Sequence, residues 1–255
     1  MANALIGYTG FVGGNLLRQA TFEGLFNSKN VEELAGKSYD ILVCSGAPAE
    51  KWKANQEPET DRKSLGRLMD ALGRVRARKV VLISTVDVYS VPRDVDEDSP
   101  IIPQPANAYG RHRHELEEFV RARFDALVVR LPGLFGEGLK KNVIYDFLHD
   151  NRVEAIHSEG VFQFYGLENL WKDVKTALDA GLQVVNFSTQ PTRVADIARE
   201  CFGRDFDNRP HNAPASYDMR SRHAHLFGGR DGYLYSKPQV LERIRAFVHA
   251  KRKEA

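Results

Sequence analysis

Gly7-Tyr8-Thr9-Gly10-Phe11-Val12-Gly13 follows a short apolar run, Ala4-Leu5-Ile6, and precedes Asn15-Leu16-Leu17-Arg18-Gln19-Ala20, which continues as a helix. A strand, a glycine turn and a helix in this order have a direct physical reading. Gly7 permits the tight turn out of the strand, Gly10 lets the backbone approach a pyrophosphate, and Gly13 lets the helix pack closely on the sheet. Phe11 and Val12 open that helix, whose first N–H groups and positive dipole end face the phosphates. The stretch therefore reads as a dinucleotide site, with tight packing alone as the competing use of the same glycines.

Outward from the turn, short apolar runs alternate with amphipathic stretches, the pattern of repeated βαβ units. Strands are expected at Gly24–Asn27, Tyr39–Cys44, Lys79–Ser84, Leu127–Leu131 and Gln183–Phe187, with Pro132-Gly133 stopping the run before it. Leu65, Leu68, Met69 and Leu72 recur at helical spacing, as do Leu116, Phe119 and Val120 within Tyr109–Phe124. A helix is expected from Thr192, as its cap, to Phe202, with Gly203 ending it, and a closing helix over Gln239–Ala250. The expected fold is α/β, a Rossmann-type doubly wound parallel sheet with a small C-terminal substrate lobe. Residues 1–255 form one unit on this reading. Its dinucleotide-binding core covers about 1–135 and 183–202, and its lobe about 136–182 and 203–238.

Composition narrows the function. The 255 residues are 42% hydrophobic and 27% charged, with a formal net charge of +2, which is ordinary for a globular protein and too small a charge for nucleic-acid binding. Cys44 and Cys201 lie far apart without C-x-x-C spacing, so neither a disulfide framework nor a cysteine metal site is expected, and a reducing cytoplasm is. No apolar run approaches the ~18 residues of a membrane span, and the first residues read as part of the fold, not as a cleaved signal. His112 and His114 stand two apart on a helix and face different ways, and His223 and His225 lack a third ligand, so no metal is expected. The acidic residues Asp94, Asp96, Glu97 and Asp98 read as a solvated loop.

A second constellation is Ser84-Thr85-Val86-Asp87-Val88-Tyr89, followed after Pro100, Pro103 and Pro105 by Tyr109-Gly110-Arg111-His112-Arg113. With the glycine turn and Arg130-Leu131-Pro132-Gly133-Leu134-Phe135-Gly136, it resembles the extended short-chain dehydrogenase/reductase family, of the NAD-dependent epimerase/dehydratase type. The resemblance implies an NAD(P)-dependent oxidoreductase or epimerase acting on a hydroxyl or ketone of a sugar or nucleotide sugar. It implies Tyr109 as acid/base, Thr85 as the donor to the reacting oxygen, and Ser45-Gly46-Ala47, Pro132 and Leu134 as cofactor contacts. Asp87 and Asn142 would meet substrate, Lys140, Lys141, Arg220 and Arg222 would approach a diphosphate, and a homodimer is the implied assembly.

The chemistry accounts for the tyrosine. Moving hydride to or from a C–OH carbon also moves the hydroxyl proton, and a phenol of pKa near 10 needs neighbouring positive charge to give it up. The family places a lysine four residues on, on the same helix face, which also holds the nicotinamide ribose. Here that residue is Arg113, which keeps the charge and donates hydrogen bonds but does not readily lose a proton. It is expected to lower the pKa of Tyr109 and touch the ribose. Val86-Asp87 replaces the Asp-Glu pair of dehydratases, and Asp61 stands where the family often has a structural asparagine. At the end of the second strand, Asn27 and Ser28 replace the carboxylate that reads an NAD ribose, and Lys29 follows, so both NAD and NADP stand as cofactors. The arginine also admits a different class of function, a catalytically weak dinucleotide-binding sensor or scaffold.

Overall fold

The computed structural model describes residues 2–102, 104 and 107–254, which leaves Pro103 and Pro105 of the proline lead-in outside the described residues. Strand β1, Ala4–Ile6, is buried along its length between β2, Gly24–Phe26, and β3, Ser38–Cys44, and is parallel to both. Strand β4, Arg76–Thr85, runs parallel to β3. Beyond it lie Ala126–Leu131 and then Val184–Asn186, which completes a six-stranded sheet. The chain places β2 on one side of β1 and β3 on the other, so the strand order reverses at β1. That reversal is the topological switch point at which doubly wound sheets open a crevice at their carboxyl ends. The fold is a Rossmann-type α/β fold.

Its connecting helices are α1, Phe11–Leu17, α2, Lys51–Gln56, α3, Pro58–Leu72, and α4, Ala108–Arg123. Pro58 occupies the first turn of α3, where its missing N–H costs nothing. Leu65, Leu68 and Leu72 then turn one face inward onto Ile6, Leu42 and Leu82. Val80, Val81, Leu82 and Ile83 are all buried, as a strand covered on both faces requires.

Two compact units divide the chain. The first is Met1–Val91, Asp98–Arg130 and Leu170–Val185; the second is Pro92–Glu97, Leu131–Asn169 and Asn186–Ala255. Helix Leu170–Asp179 belongs with the sheet, because Phe22 meets Trp171 edge-on and Gln19 accepts from the Trp171 N–H. Helix Val194–Phe202 belongs to the second unit, where Val194 and Ala198 pack on Phe147. Periodicity identifies each helix but not the surface that it covers.

In the second unit, Gly133–Phe135 extends the chain past the expected stop and pairs with Phe164–Gly166. Thr192 does not cap the helix that follows. It lies in a two-residue strand paired with Val161–Phe162, and its hydroxyl donates to the Gln190 carbonyl. Gly203, at φ 64°, does end that helix. Glu97 is also not a solvated loop residue: its carboxylate accepts from the Asn186 N–H, the Ser221 hydroxyl and the Arg222 N–H, so it clamps three segments. Among the described residues, no helix is long and apolar enough to cross a membrane, and no group of three or more His, Cys, Asp or Glu is placed to hold a metal.

A buried ion pair locks α4 onto the sheet of the first unit. The Arg130 guanidinium holds Glu117 at 2.6–3.2 Å and also donates to the Tyr89 hydroxyl, while Ser84 donates to the same carboxylate. Burial pushes Glu117 up, but His114, Arg130 and Ser84 together bring its carboxyl below the ordinary value. Its stabilising contribution is therefore present above the unfolded-state pKa of about 4.3 and is lost as pH falls through the lower folded value. Glu117→Gln should cost about 3–5 kcal/mol at neutral pH by leaving Arg130 buried and unpaired. Denaturant midpoints across a pH series should show a flatter acid limb in the variant than in the wild type.

Candidate active site

The glycine turn is built as its spacing implies. Gly7 sits at φ 87°, and a Cβ there would lie 2.4 Å from the Ser45 carbonyl oxygen. A Cβ on Gly13 would lie 2.1 Å from the Gly7 oxygen. The end of β1, the start of α1 and the loop after β3 thus meet backbone to backbone. Ser45 fixes that loop by donating both its N–H and its hydroxyl to the Ile6 carbonyl. Gly46 and Ala47 follow it. Gly10, the N-cap of α1, offers no side-chain acceptor to the first-turn N–H groups of Phe11 and Val12.

At the end of β2, Asn27 folds onto its own loop. Its side-chain oxygen accepts from the Lys29 N–H, and its N–H donates to Asn30. Ser28 and Lys29 are exposed, and no carboxylate occupies residues 27–30. The Asn27 side-chain oxygen thus serves the turn.

The second constellation assembles around Tyr109. Thr85 ends β4 and its oxygen accepts from the Asp87 N–H, forming a one-turn 3-10 helix, Val86–Val88. Asn107 then joins this turn to α4: its amide donates to the Asp87 carbonyl and its oxygen caps the Gly110 N–H. Gly110 is required there, since a Cβ would lie within 1.9 Å of the Asp87 oxygen. The Tyr109 N–H donates to Asn55 of α2. Held from these sides, the buried Tyr109 side chain has the Thr85 side chain as its hydrogen-bonding neighbour. Lys51, one turn before Asn55, pairs with Asp87 at 2.6 Å.

Arg113 is where the expectation changes most. Its guanidinium lies under the Tyr109 ring, 3.9 Å from the centroid, in cation–π contact. It grips Asp61 with both terminal nitrogens at 2.5 and 2.9 Å. The same two nitrogens also donate to the Tyr109 and Pro48 carbonyls. His112 adds a ring nitrogen to Asp61 at 2.8 Å. Of the Arg113 nitrogens, Nε is buried with no hydrogen-bond partner among the described residues. Arg113 does not bring Tyr109 below its ordinary value. Burial raises the phenol, Arg113 opposes this, Asp87 raises it again, and Thr85 and Lys51 lower it, with a net upward shift. The net shift is upward because desolvation of the ring outweighs the lowering by Arg113.

The remaining expected residues lie in the second unit. Pro132 precedes the strand that contains Leu134. The Asn142 amide donates to the Leu134 carbonyl, while its oxygen accepts from the N–H groups of Ile144 and Tyr145. Asn142 is therefore the N-cap of helix Val143–His149. Arg220 pairs with Asp218 and Asp94. Sequence reasoning missed Lys51, Asn55 and Asn107. Asn107 carried a signal, a capping residue just before a helical run; the i,i+4 pair Lys51 and Asn55 shared a face with nothing to say what it meets.

The profile of the NAD dependent epimerase/dehydratase family matches residues 4–169. No curated protein sequence matches the chain. Among solved structures it is similar to a dTDP-4-dehydrorhamnose reductase from Clostridium acetobutylicum, at TM-score 0.73 and 17% identity over 99% of this chain and 100% of that one. It is similar to RMD from Pseudomonas aeruginosa complexed with NADPH, at TM-score 0.74 and 17% identity over 98% and 100%. It is also similar to a UDP-glucose 4-epimerase from Thermotoga maritima with UDP-glucose, at TM-score 0.72 and 18% identity over 100% and 99%. These likenesses bear on the fold, and the profile match bears on descent. With the glycine turn and the tyrosine helix inside the matched residues, the chain belongs to the NAD-dependent epimerase/dehydratase family.

Proposed function

We propose that this protein is an NAD(P)-dependent oxidoreductase or epimerase acting on a hydroxyl or ketone of a sugar, in nucleotide-linked form. The observation that carries the reading is the Tyr109 site: a buried phenol, hydrogen-bonded by Thr85 and stacked on Arg113, in the unit that holds the glycine turn. The residues fit the cofactor. Gly7 and Gly13 form a cradle that a Cβ would fill, the start of α1 lacks a side-chain cap, and Arg113 Nε is a buried donor without a partner.

On this reading Gly7, Gly10, Phe11, Val12 and Gly13 hold the pyrophosphate, and Ser45, Gly46 and Ala47 line the cofactor beside them. Asn27 and Ser28 meet the adenine ribose through groups left outside the Asn27 turn, and with no carboxylate there either NAD or NADP is accommodated. Arg113 reaches the nicotinamide ribose through Nε. By the family resemblance alone, Pro132 and Leu134 are assigned to the nicotinamide. When bound, the cofactor supplies or accepts hydride. Thr85 orients the substrate oxygen, Tyr109 gives or takes its proton, and Asp87, held by Lys51, accepts from a neighbouring substrate hydroxyl. Asn142 supports the substrate side by fixing the Leu134 segment. A cytoplasmic enzyme that pairs with a second copy completes the reading, and those two points rest on the family resemblance alone.

Tyr109→Phe should slow single-turnover change of bound cofactor by about 10²–10⁴-fold while leaving cofactor binding intact. The measurement follows nicotinamide absorbance against a panel of nucleotide sugars and their keto forms. If cofactor binds yet its redox state never changes in the wild type, the sensor or scaffold reading replaces the enzyme.

A further inference from the structure

Two cations act on Tyr109, and each is paired. Lys51 holds Asp87 at 2.6 Å, and Arg113 holds Asp61 through both arms of its fork. The second pair is far more enclosed: the side chains of Arg113 and Asp61 are each 3% exposed, whereas that of Lys51 is 44% exposed. A guanidinium bound bidentately to a carboxylate in such a place offers the ring above it a weaker positive field than a free guanidinium would. Its geometry is also fixed, because the Pro48 and Tyr109 carbonyls take the remaining directions of the same two nitrogens. His112 on α4 reinforces Asp61 from α3, so the carboxylate is held from two positions.

We propose that Asp61 is a positioning residue: by clamping Arg113 flat beneath Tyr109 it makes a charge-compensated platform, over which Tyr109 gives up its proton less readily than it would over a free cation. This rests on the function proposed above and deepens it by assigning the tuning of Tyr109 to a residue of α3. In the reductive direction the balance is simple. As the carbonyl carbon gains hydride from bound NAD(P)H, forming the C–H bond, the π pair of the C=O takes the Tyr109 proton. The product is an alcohol with oxidised cofactor and a Tyr109 phenolate, which regains its proton from solvent.

The groups that face Tyr109 are Arg113 of α4, Asp87 and Thr85 at the end of β4, and Lys51 of α2, with Asp61 and His112 behind the guanidinium. Removing the Asp61 charge alone unmasks Arg113. The test is an ultraviolet tyrosinate titration, taken as wild type minus Tyr109→Phe so that only residue 109 contributes. It needs neither substrate nor cofactor. The proposal expects Tyr109 to ionise above the ordinary tyrosine value in the wild type. In Asp61→Asn it expects the midpoint to fall by about one pH unit or more, with the alkaline limb of carbonyl reduction moving down equally. A purely structural role for Asp61 would lower thermal stability and leave that midpoint in place, and such a result overturns the proposal. Should Asp61→Asn fail to fold, the wild type still decides, since ionisation of Tyr109 below the ordinary value is equally fatal. The expected titration together with an enzyme that never turns over counts against the function reading and leaves the platform standing.

Discussion

Backbone-to-backbone contact between Gly7, Gly13 and the Ser45 loop sets the position of everything downstream. Three segments distant in sequence converge there because two residues carry no Cβ, and any side chain at either position would have to displace main-chain atoms within 2.4 Å. Since main chain cannot swing aside as a side chain can, this is a constraint on the fold and not a preference. It brings the start of α1 up to the carboxyl ends of β1 and β3, where the strand order reverses. The cradle and the crevice are therefore one feature, produced by a single sequence motif.

The tyrosine half of the site depends on a different kind of constraint. Asn107, Gly110 and Asn55 hold the start of α4 by hydrogen bonds and by close contact. Beneath it, Asp61, His112 and Arg113 form a buried polar network that is costly to break at Asp61, whose removal leaves both His112 and Arg113 desolvated without their carboxylate. The same arrangement sets the chemistry. A desolvated phenol over a compensated cation holds its proton more tightly than a phenol beside a free one. Position 113 cannot be read in isolation, since its effect depends on what residue 61 does with the charge.

Much of this was legible in the sequence for physical reasons. Short apolar runs between turn residues located every strand of the central sheet, because strands covered on both faces have little latitude in composition. The glycine turn was legible because no other residue type can occupy it. What escaped reading were contacts between elements. Nothing local to Leu170–Asp179 says that it packs on α1, and nothing local to Glu97 says that its carboxylate ties together residues 186, 221 and 222. Arg113 was visible as a departure, and Asp61 as another. Their pairing was not, because it joins α3 to α4 across the fold. The local bonds of Asn142 were equally out of reach: its oxygen caps helix Val143–His149 while its amide N–H donates to the Leu134 carbonyl.

The claim at the centre of this account is that the glycine cradle binds a dinucleotide. Equilibrium titration of the protein with NADH and with NADPH, followed by nicotinamide fluorescence, tests it without any assumption about substrate. Saturable binding of at least one of the two, lost in a folded Gly13→Val variant, is the result the account predicts. Absence of saturable binding of both to the wild type, or binding unchanged by Gly13→Val, would contradict it.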